Sequence, residues 1–318
     1  MNHQLPLPTY TDIEEAAQRI APFIHRTPTL TNAGIDNLLE AQVFFKCENF
    51  QKVGAFKFRG ACNAVFSLDD ECIRNGVATH SSGNHAAALA LAAKHRGVPA
   101  FVVMPTNSSS VKIEAVKSYG AEIIFCEPTL EARESTLEQV VASTNASFIH
   151  PYNNPFVIAG QATAAKEVLE SVPELDMLIA PVGGGGLLSG SALSAHALSR
   201  ETIVLGAEPE GADDAARSMR EGRIIPSDNP QTIADGLRTS LGSLTFEIIK
   251  SNVHAIHTVP DSAIIYAMRL IWQRMKIIVE PSSAVPLAIL LVNKIATKGK
   301  RIGIVLSGGN VDLDHLPW

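Results

Sequence analysis

The chain has 318 residues, 46% of them apolar, with a formal net charge of −6. That length allows about two domains with ordinary cores, and the acidic balance argues against a surface built for nucleic acid or anionic lipid. No run approaches the roughly 18 apolar residues of a membrane span, and the opening residues lack the basic and then apolar pattern of a secretory leader. Cys47, Cys62, Cys72 and Cys126 form neither a CxxC pair nor a zinc spacing, so free thiols in a reducing cytoplasm are expected. In chain order, strands are predicted at Gln42–Lys46, Gly76–Thr79, Ala100–Met104, Glu122–Cys126, Met177–Val182, Ile203–Glu208 and Arg301–Ser307. Segments of helical period alternate with them. Ser110–Tyr119 followed by Gly120 reads as a helix with a glycine cap. Asp261 is the expected N-cap of a helix that places Ile264, Ile265, Met268, Trp272 and Met275 on one face. Alternation of this kind predicts an α/β protein with largely parallel sheets.

Several of these strands end in a glycine- or serine-rich turn that feeds a helix, which is where ligands collect in open α/β sheets. The turns are Ser81-Ser82-Gly83-Asn84-His85, Gly183-Gly184-Gly185-Gly186 and Ser307-Gly308-Gly309-Asn310. A further run, Gly54-Ala55-Phe56-Lys57-Phe58-Arg59-Gly60-Ala61, sets a lysine between two phenylalanines. Desolvation there lowers the amine's pKa and makes it a nucleophile for a carbonyl. The tetraglycine run lies between the strand Leu178–Val182 and a helix starting near Leu187. Successive N–H groups without Cβ atoms can converge there on one anion, helped by the helix dipole. The run lacks the GxGxxG spacing of a dinucleotide site. An amine together with a phosphate cradle meets the needs of one cofactor, pyridoxal phosphate.

Together the four runs resemble the fold-type II pyridoxal-phosphate enzymes (tryptophan synthase β-like), and among them the serine racemase and serine/threonine dehydratase family. The resemblance extends from Thr27-Pro28 to Asn310-Val311-Asp312. It implies two domains with open, mostly parallel, twisted sheets: residues 69–153 as a small domain inserted into a large cofactor-binding domain of residues 1–68 and 154–318. It also implies that Lys57 carries the cofactor and afterwards handles the substrate's α-proton. Phe56, Asn84, Gly183, Gly184, Gly185, Gly186, Leu187 and Ser307 would hold the cofactor. A serine rather than a carboxylate at the pyridine nitrogen leaves the ring a milder electron sink, which suits β-elimination and racemisation better than transamination.

On the substrate side the resemblance implies Ser81, Ser82, Gly83, Asn84, His85, Arg133 and Thr239, with Ser82 as proton donor on the face opposite Lys57. His85 reads primarily as a residue that orders its loop. Glu208, Ala212 and Asp214 match a cation site of the family, with hard oxygen ligands suited to Mg²⁺, Ca²⁺ or Mn²⁺. The implied activity is racemisation of serine, dehydration of serine or threonine to a keto acid and ammonia, or both. Threo-3-hydroxyaspartate dehydration is the alternative, since Thr239 replaces the usual serine, and a non-catalytic cofactor-binding protein is the remote one. The chain departs from the pattern at Ala55, at Ala86-Ala87-Ala88 and at Ser282-Ser283. Positions that hold a stimulatory nucleotide in animal serine racemases match at Lys52, Tyr119, Lys276 and Asn310 but not at Asn32, Ala33, Gly34 and Ala87, so nucleotide activation is not expected. A cytoplasmic homodimer is expected.

Overall fold

The structure, a computed structural model, describes residues 6–81, 83–108, 110–292 and 295–318. Its strands in chain order are β1 (Thr29–Leu30), β2 (Gln42–Cys47), β3 (Val77–His80), β4 (Ala100–Pro105), β5 (Glu122–Cys126), β6 (Ser147–Phe148), β7 (Met177–Pro181), β8 (Ile203–Pro209), β9 (Ala255–Val259) and β10 (Arg301–Leu306). They form a six-stranded sheet ordered β1-β2-β10-β7-β8-β9 and a four-stranded sheet ordered β5-β4-β3-β6. Every pairing is parallel except that of the edge strand β1 with β2. The expected α/β class and largely parallel sheets are therefore present.

Period-two alternation divides the larger sheet's side chains between two cores. Ile179, Leu205, Ile302, Ile304 and Leu306 face the helices Asp261–Met275 and Pro281–Val292. Leu178, Ala180, Val204 and Val305 face the helices Pro155–Ser171 and Gly186–Leu198. With helices on both faces a central strand has no wet side, so all five residues of β7 are buried. Helix starts are locally encoded. Asn154 accepts from the N–H groups of Phe156 and Val157 with Pro155 at the first helical position. The alanine-rich helix Asn84–Arg96 is stopped by Gly97 at φ 73°.

The seven predicted strands all exist, shifted by at most a residue at each end, while β1, β6 and β9 were not foreseen. The helix predicted over 110–119 ends at Ser118, and Gly120 takes the left-handed φ of 86° expected of it. Asp261 is not an N-cap. Pro260 holds that place, and the Asp261 carboxylate instead accepts from the Thr232 hydroxyl and the Ile233 N–H at 2.5 and 2.9 Å. On that helix the buried stripe is Ala263, Ile264, Ala267, Met268 and Ile271, with Trp272 and Met275 packed at its edge. No helix among the described residues is long and apolar enough to cross a membrane.

Candidate active site

Lys57 is the first residue of the helix Lys57–Ser67. The chain reaches it through a short helical turn that needs left-handed φ at Val53 and Gly54, 57° and 68°. It is then stitched to the end of β10: Ala55 bridges Gly308, and the Phe56 N–H donates to the Ser307 carbonyl at 2.9 Å. Ala55 is fully buried at that bridge. The Lys57 Nζ donates to the Pro151 carbonyl at 3.0 Å, and burial lowers its pKa to about 8. Its aromatic frame differs from the one expected. Phe56 lies 5.2 Å from the amine and Tyr152 supplies the second ring at 6.0 Å. Phe58, one residue on and therefore turned about 100° around the helix, is buried in a core with Ile20 and Val65.

The tetraglycine run leaves the carboxyl end of β7 and opens the helix Gly186–Leu198. Gly185 sits at φ 88°. A Cβ at Gly184 would fall 2.4 Å from the Tyr152 ring, and one at Gly186 would fall 2.5 Å from the Gln161 Oε1. Glycine is therefore demanded by close packing as well as by backbone geometry. Gln161, on the helix Pro155–Ser171, is fully buried, and neither its oxygen nor its nitrogen has a hydrogen-bond partner among the described residues. An unmatched amide beside a glycine cradle at a helix N-terminus is a poor solution unless a polar group completes it. That arrangement fits the phosphate of pyridoxal phosphate.

Ser307 follows β10 and is buried, its hydroxyl 3.1 Å from that of Ser283. Ser283 also donates to the Gly308 carbonyl and accepts from the Gly308 N–H, so the serine pair is rigidly placed and electrically neutral. Asn84 begins the helix Asn84–Arg96; its amide donates to Glu280 at 3.0 Å, and its oxygen accepts from Asn310 at 2.9 Å. Burial raises Glu280 to about 7, with Asp235 adding to the effect and the Asn84 hydrogen bond opposing it. His85 is buried, and neither ring nitrogen has a hydrogen-bond partner of normal geometry among the described residues, although the Ile149 backbone is among the groups that act on the ring. Burial, followed by the charge of Lys57, keeps its pKa well below the ordinary histidine value. Ser82 lies outside the described residues. Ser81 and Gly83 flank it, and the Ser81 hydroxyl accepts from the Gly83 N–H at 3.3 Å.

Arg133 stands near the start of the helix Leu130–Thr144, and its only hydrogen bond from the guanidinium among the described residues goes to the Thr129 carbonyl at 3.4 Å. Thr239 is exposed in the loop after a short turn at Asp235–Leu237. Glu208 and Asp214 are both fully buried. Glu208 accepts from the Ala215 and Ala216 N–H groups, each at 2.9 Å. Neither oxygen of Asp214 has a hydrogen-bond partner of normal geometry among the described residues. Burial raises Glu208 to about 9 and Asp214 to about 6. Two buried carboxylates, with both oxygens of Asp214 unmet, beside the turn that holds Ala212 fit a hard cation.

Sequence reasoning missed the loop after β6. His150, Pro151 and Tyr152 surround the Lys57 amine, and only the Pro-flanked aromatic and histidine content of His150-Pro151-Tyr152 could have drawn attention to them. Gln161, Ser283 and Glu280 were missed as site residues because each reaches the site from a core helix or its edge.

Comparison with known proteins accords with this geometry. The chain is 53% identical to the beta-hydroxyaspartate dehydratase of Paracoccus denitrificans, covering 98% of this chain and 99% of that one. It is 51% identical to the serine racemase of Dictyostelium discoideum, over 98% of each. Among solved structures, maize serine racemase superposes with a TM-score of 0.95 at 47% identity, covering 97% of this chain and 95% of that one. The family model described as pyridoxal-phosphate dependent enzyme matches residues 20–308, and it is to this family that the chain belongs.

Proposed function

We propose that the chain is an amino-acid racemase and ammonia-lyase for small β-hydroxy amino acids. It would interconvert L- and D-serine and dehydrate serine, and threonine, to pyruvate or 2-oxobutanoate and ammonia, with threo-3-hydroxyaspartate as the alternative substrate. The observation that carries this reading is the Lys57 amine, desolvated to a pKa of about 8 and aimed by the Pro151 carbonyl beside the glycine loop. Lys57 would bind the cofactor covalently, the Gly183–Gly186 loop with Leu187 and Gln161 would take its phosphate, Phe56 and Asn84 would flank the ring, and Ser307 would face its nitrogen. Bound pyridoxal phosphate supplies an electron-withdrawing ring that acidifies the α C–H bond of an attached amino acid.

The chain's own residues do the rest. Lys57, freed when the substrate takes its place, accepts the α-proton on its face of the site. With the Ser283 proton committed to the Gly308 carbonyl, the Ser307 hydroxyl would offer its own proton to the ring nitrogen without adding a negative charge. Ser82 is proposed as the proton donor on the opposite face, and Ser81, Gly83, Asn84 and His85 as the loop around the substrate carboxylate; the family resemblance supports both. A Mg²⁺, Ca²⁺ or Mn²⁺ ion on Glu208, Asp214 and the Ala212 carbonyl would stiffen the loop after β8. The orphaned Asp214 oxygens support that site. In the same way, a small domain of residues 69–153 within a large one of 1–68 and 154–318 is supported by β3–β6 all falling between Val77 and Phe148. The resemblance supports a homodimer, and the four free thiols suit the cytoplasm.

The test is incubation of the enzyme with L-serine, L-threonine and L-threo-3-hydroxyaspartate, read by chiral separation and keto-acid formation. The expected result is turnover that Lys57→Ala abolishes together with borohydride-trappable cofactor. A Lys57→Ala protein with full turnover would sink the assignment. Chelation should lower both rate and melting temperature, with Mg²⁺ or Ca²⁺ restoring them. If neither moves, the acidic loop holds no working cation.

A further inference from the structure

Asn84 is the polar side chain proposed to flank the cofactor ring, and its hydrogen bonds decide which end of its amide is free to face that ring. The Val53 carbonyl can only accept, so the nitrogen of the Asn310 amide is turned to it, at 2.7 Å. The Asn310 oxygen then lies against Gly54, where a Cβ would come within 2.5 Å of it. The same Asn310 nitrogen donates its second hydrogen to the Asn84 oxygen at 2.9 Å. The Asn84 nitrogen is therefore at the other end, and it meets both oxygens of Glu280, at 3.0 and 3.2 Å. A backbone carbonyl, two amides and one carboxyl thus form a relay with a single consistent direction.

The fold places the Glu280 carboxyl between two anchors of the ring. Glu280 is buried and immediately precedes the helix Pro281–Val292, which carries Ser283. Its N–H donates to the Gly308 carbonyl at 3.1 Å. Its Oε1 lies against Gly308, where a Cβ would fall 2.7 Å away. Gly308 follows Ser307, so one side chain touches both the turn that presents Ser307 and the amide of Asn84. The charged groups that act on it are Asp235, from the turn Asp235–Leu237, and Lys112, from the helix Ser110–Ser118. Those two pair with each other. The Asn84 amide and the Asn310 backbone favour the ionised form, but burial and Asp235 outweigh them and bring the carboxyl to about 7. A buried carboxyl without a cation of its own is a costly way to fill space.

An asparagine amide has two N–H groups, and Glu280 takes one of them. With the Asn84 oxygen held by Asn310, the other N–H is all that Asn84 has left to offer. We propose that Glu280 is a positioning residue that acts through Asn84: it fixes the amide so that a donor faces the oxygen substituent of the pyridoxal ring, and its own charge tunes the strength of that donor. The inference rests on the cofactor reading of the same site. An amide that gives one N–H to a carboxylate is a weaker donor through the other than one that gives it to a neutral acid. The negative charge on Glu280 also opposes negative charge on the ring oxygen. Both effects have the same sign, so ionising Glu280 loosens the hold on the ring.

The holoenzyme tests this without recourse to turnover. Its visible absorption band should shift between pH 5.5 and 8.5 with a midpoint near 7, and Glu280→Gln, which keeps an acceptor for Asn84 but cannot ionise, should be flat over that range. Glu280→Met removes the acceptor, and the dissociation constant for pyridoxal phosphate should rise about ten-fold, the worth of one hydrogen bond. Asn84→Ala should weaken the cofactor at least as much, and adding Glu280→Met to it should cost nothing more. Additive losses in the double variant would overturn the inference, because Glu280 would then act on the fold rather than through Asn84. A Glu280→Gln band that titrates like the wild type would overturn it as well. A wild type that takes up pyridoxal phosphate without forming a visible band would instead bring down the cofactor reading, and the inference with it.

Discussion

Lys57 is ordinary in sequence composition and unusual only in its surroundings. An exposed lysine amine is protonated until pH passes about 10.4, whereas burial brings this one to about 8. The free base is the form that attacks an aldehyde, so the rate at which apoprotein captures pyridoxal phosphate should rise with pH and level off above about 8. Stopped-flow absorbance across pH 6.5–10 checks this, and a rate still climbing at the alkaline end would mean the amine is solvated. The second residue-scale expectation concerns Ser82. Racemisation needs a proton delivered to the face opposite Lys57, while elimination from the L-enantiomer needs only proton removal. Ser82→Ala should therefore suppress racemisation of L-serine far more than pyruvate formation, as chiral chromatography and a keto-acid assay would report. Equal loss of both would leave Ser82 as a substrate-positioning residue.

Elements hold Lys57 where it is, and one buried charge network does most of that. Arg59, two residues further along the helix Lys57–Ser67, is fully buried and donates to Glu48 at 2.7 and 2.9 Å and to Glu167 at 2.7 and 3.0 Å. Lys46, on β2, donates to the Thr27 carbonyl at 2.7 Å and pairs with Glu167. Two cations and two carboxylates thus tie β2, the lysine helix and the helix Pro155–Ser171 together. Arg59→Met would leave Glu48 without a cation and Glu167 with Lys46 alone, at a cost of about 3–5 kcal/mol, measurable by denaturant unfolding. Adding Glu48→Leu should recover part of the loss, because one uncompensated charge is removed. If single and double variants are equally unstable, the guanidinium's packing matters rather than its charge. This network also shows the limit of what the chain discloses at this scale. Strands buried on both faces announce themselves as apolar runs, and β3, β4, β7, β8 and β10 were legible for that reason; β2 and the half-exposed edge strand β5 were legible from their apolar runs alone. The two-residue strands β1 and β6 have no period to read, and β9 is a half-buried edge strand containing His257. The motif residues Lys57, Gly183–Gly186 and Ser307 were legible because their chemistry demands particular types at particular turns. Tyr152, His150 and Gln161 were not, because their roles exist only after distant segments close around the lysine.

Across the whole molecule, the two sheets meet at a cavity of about 650 Å³ lined by Val53, Asn84, Lys112, Asp235 and Asn310, among others. Elements following β3 and β4 reach across it to elements of the larger sheet. Lys112 pairs with Asp235, and Asn84 bonds Glu280 and Asn310. The Lys112–Asp235 pair is partly exposed on both sides, so it contributes about 1 kcal/mol or less. Glu280 is different, because it is buried, and the groups facing it are Asn84, Lys112 and Asn310 together with the like-charged Asp235. Its carboxyl rises from 4.5 to about 7 on folding, first through burial and then through Asp235. The folded protein therefore holds a proton at Glu280 that the unfolded chain has already released between those two values. The sign follows from linkage: where the native state binds more protons, stability falls as pH rises. Relative to Glu280→Gln, whose neutral amide can still accept from Asn84, the wild type should lose unfolding free energy from pH 4.5 to about 7 and run parallel to the variant above that window. Urea unfolding of both proteins at half-unit steps of pH measures the difference directly. A wild type that gains stability over the variant in this window would mean Glu280 is ionised throughout in the folded state, and the junction between the sheets would then be held by a charged carboxylate rather than by a titrating one.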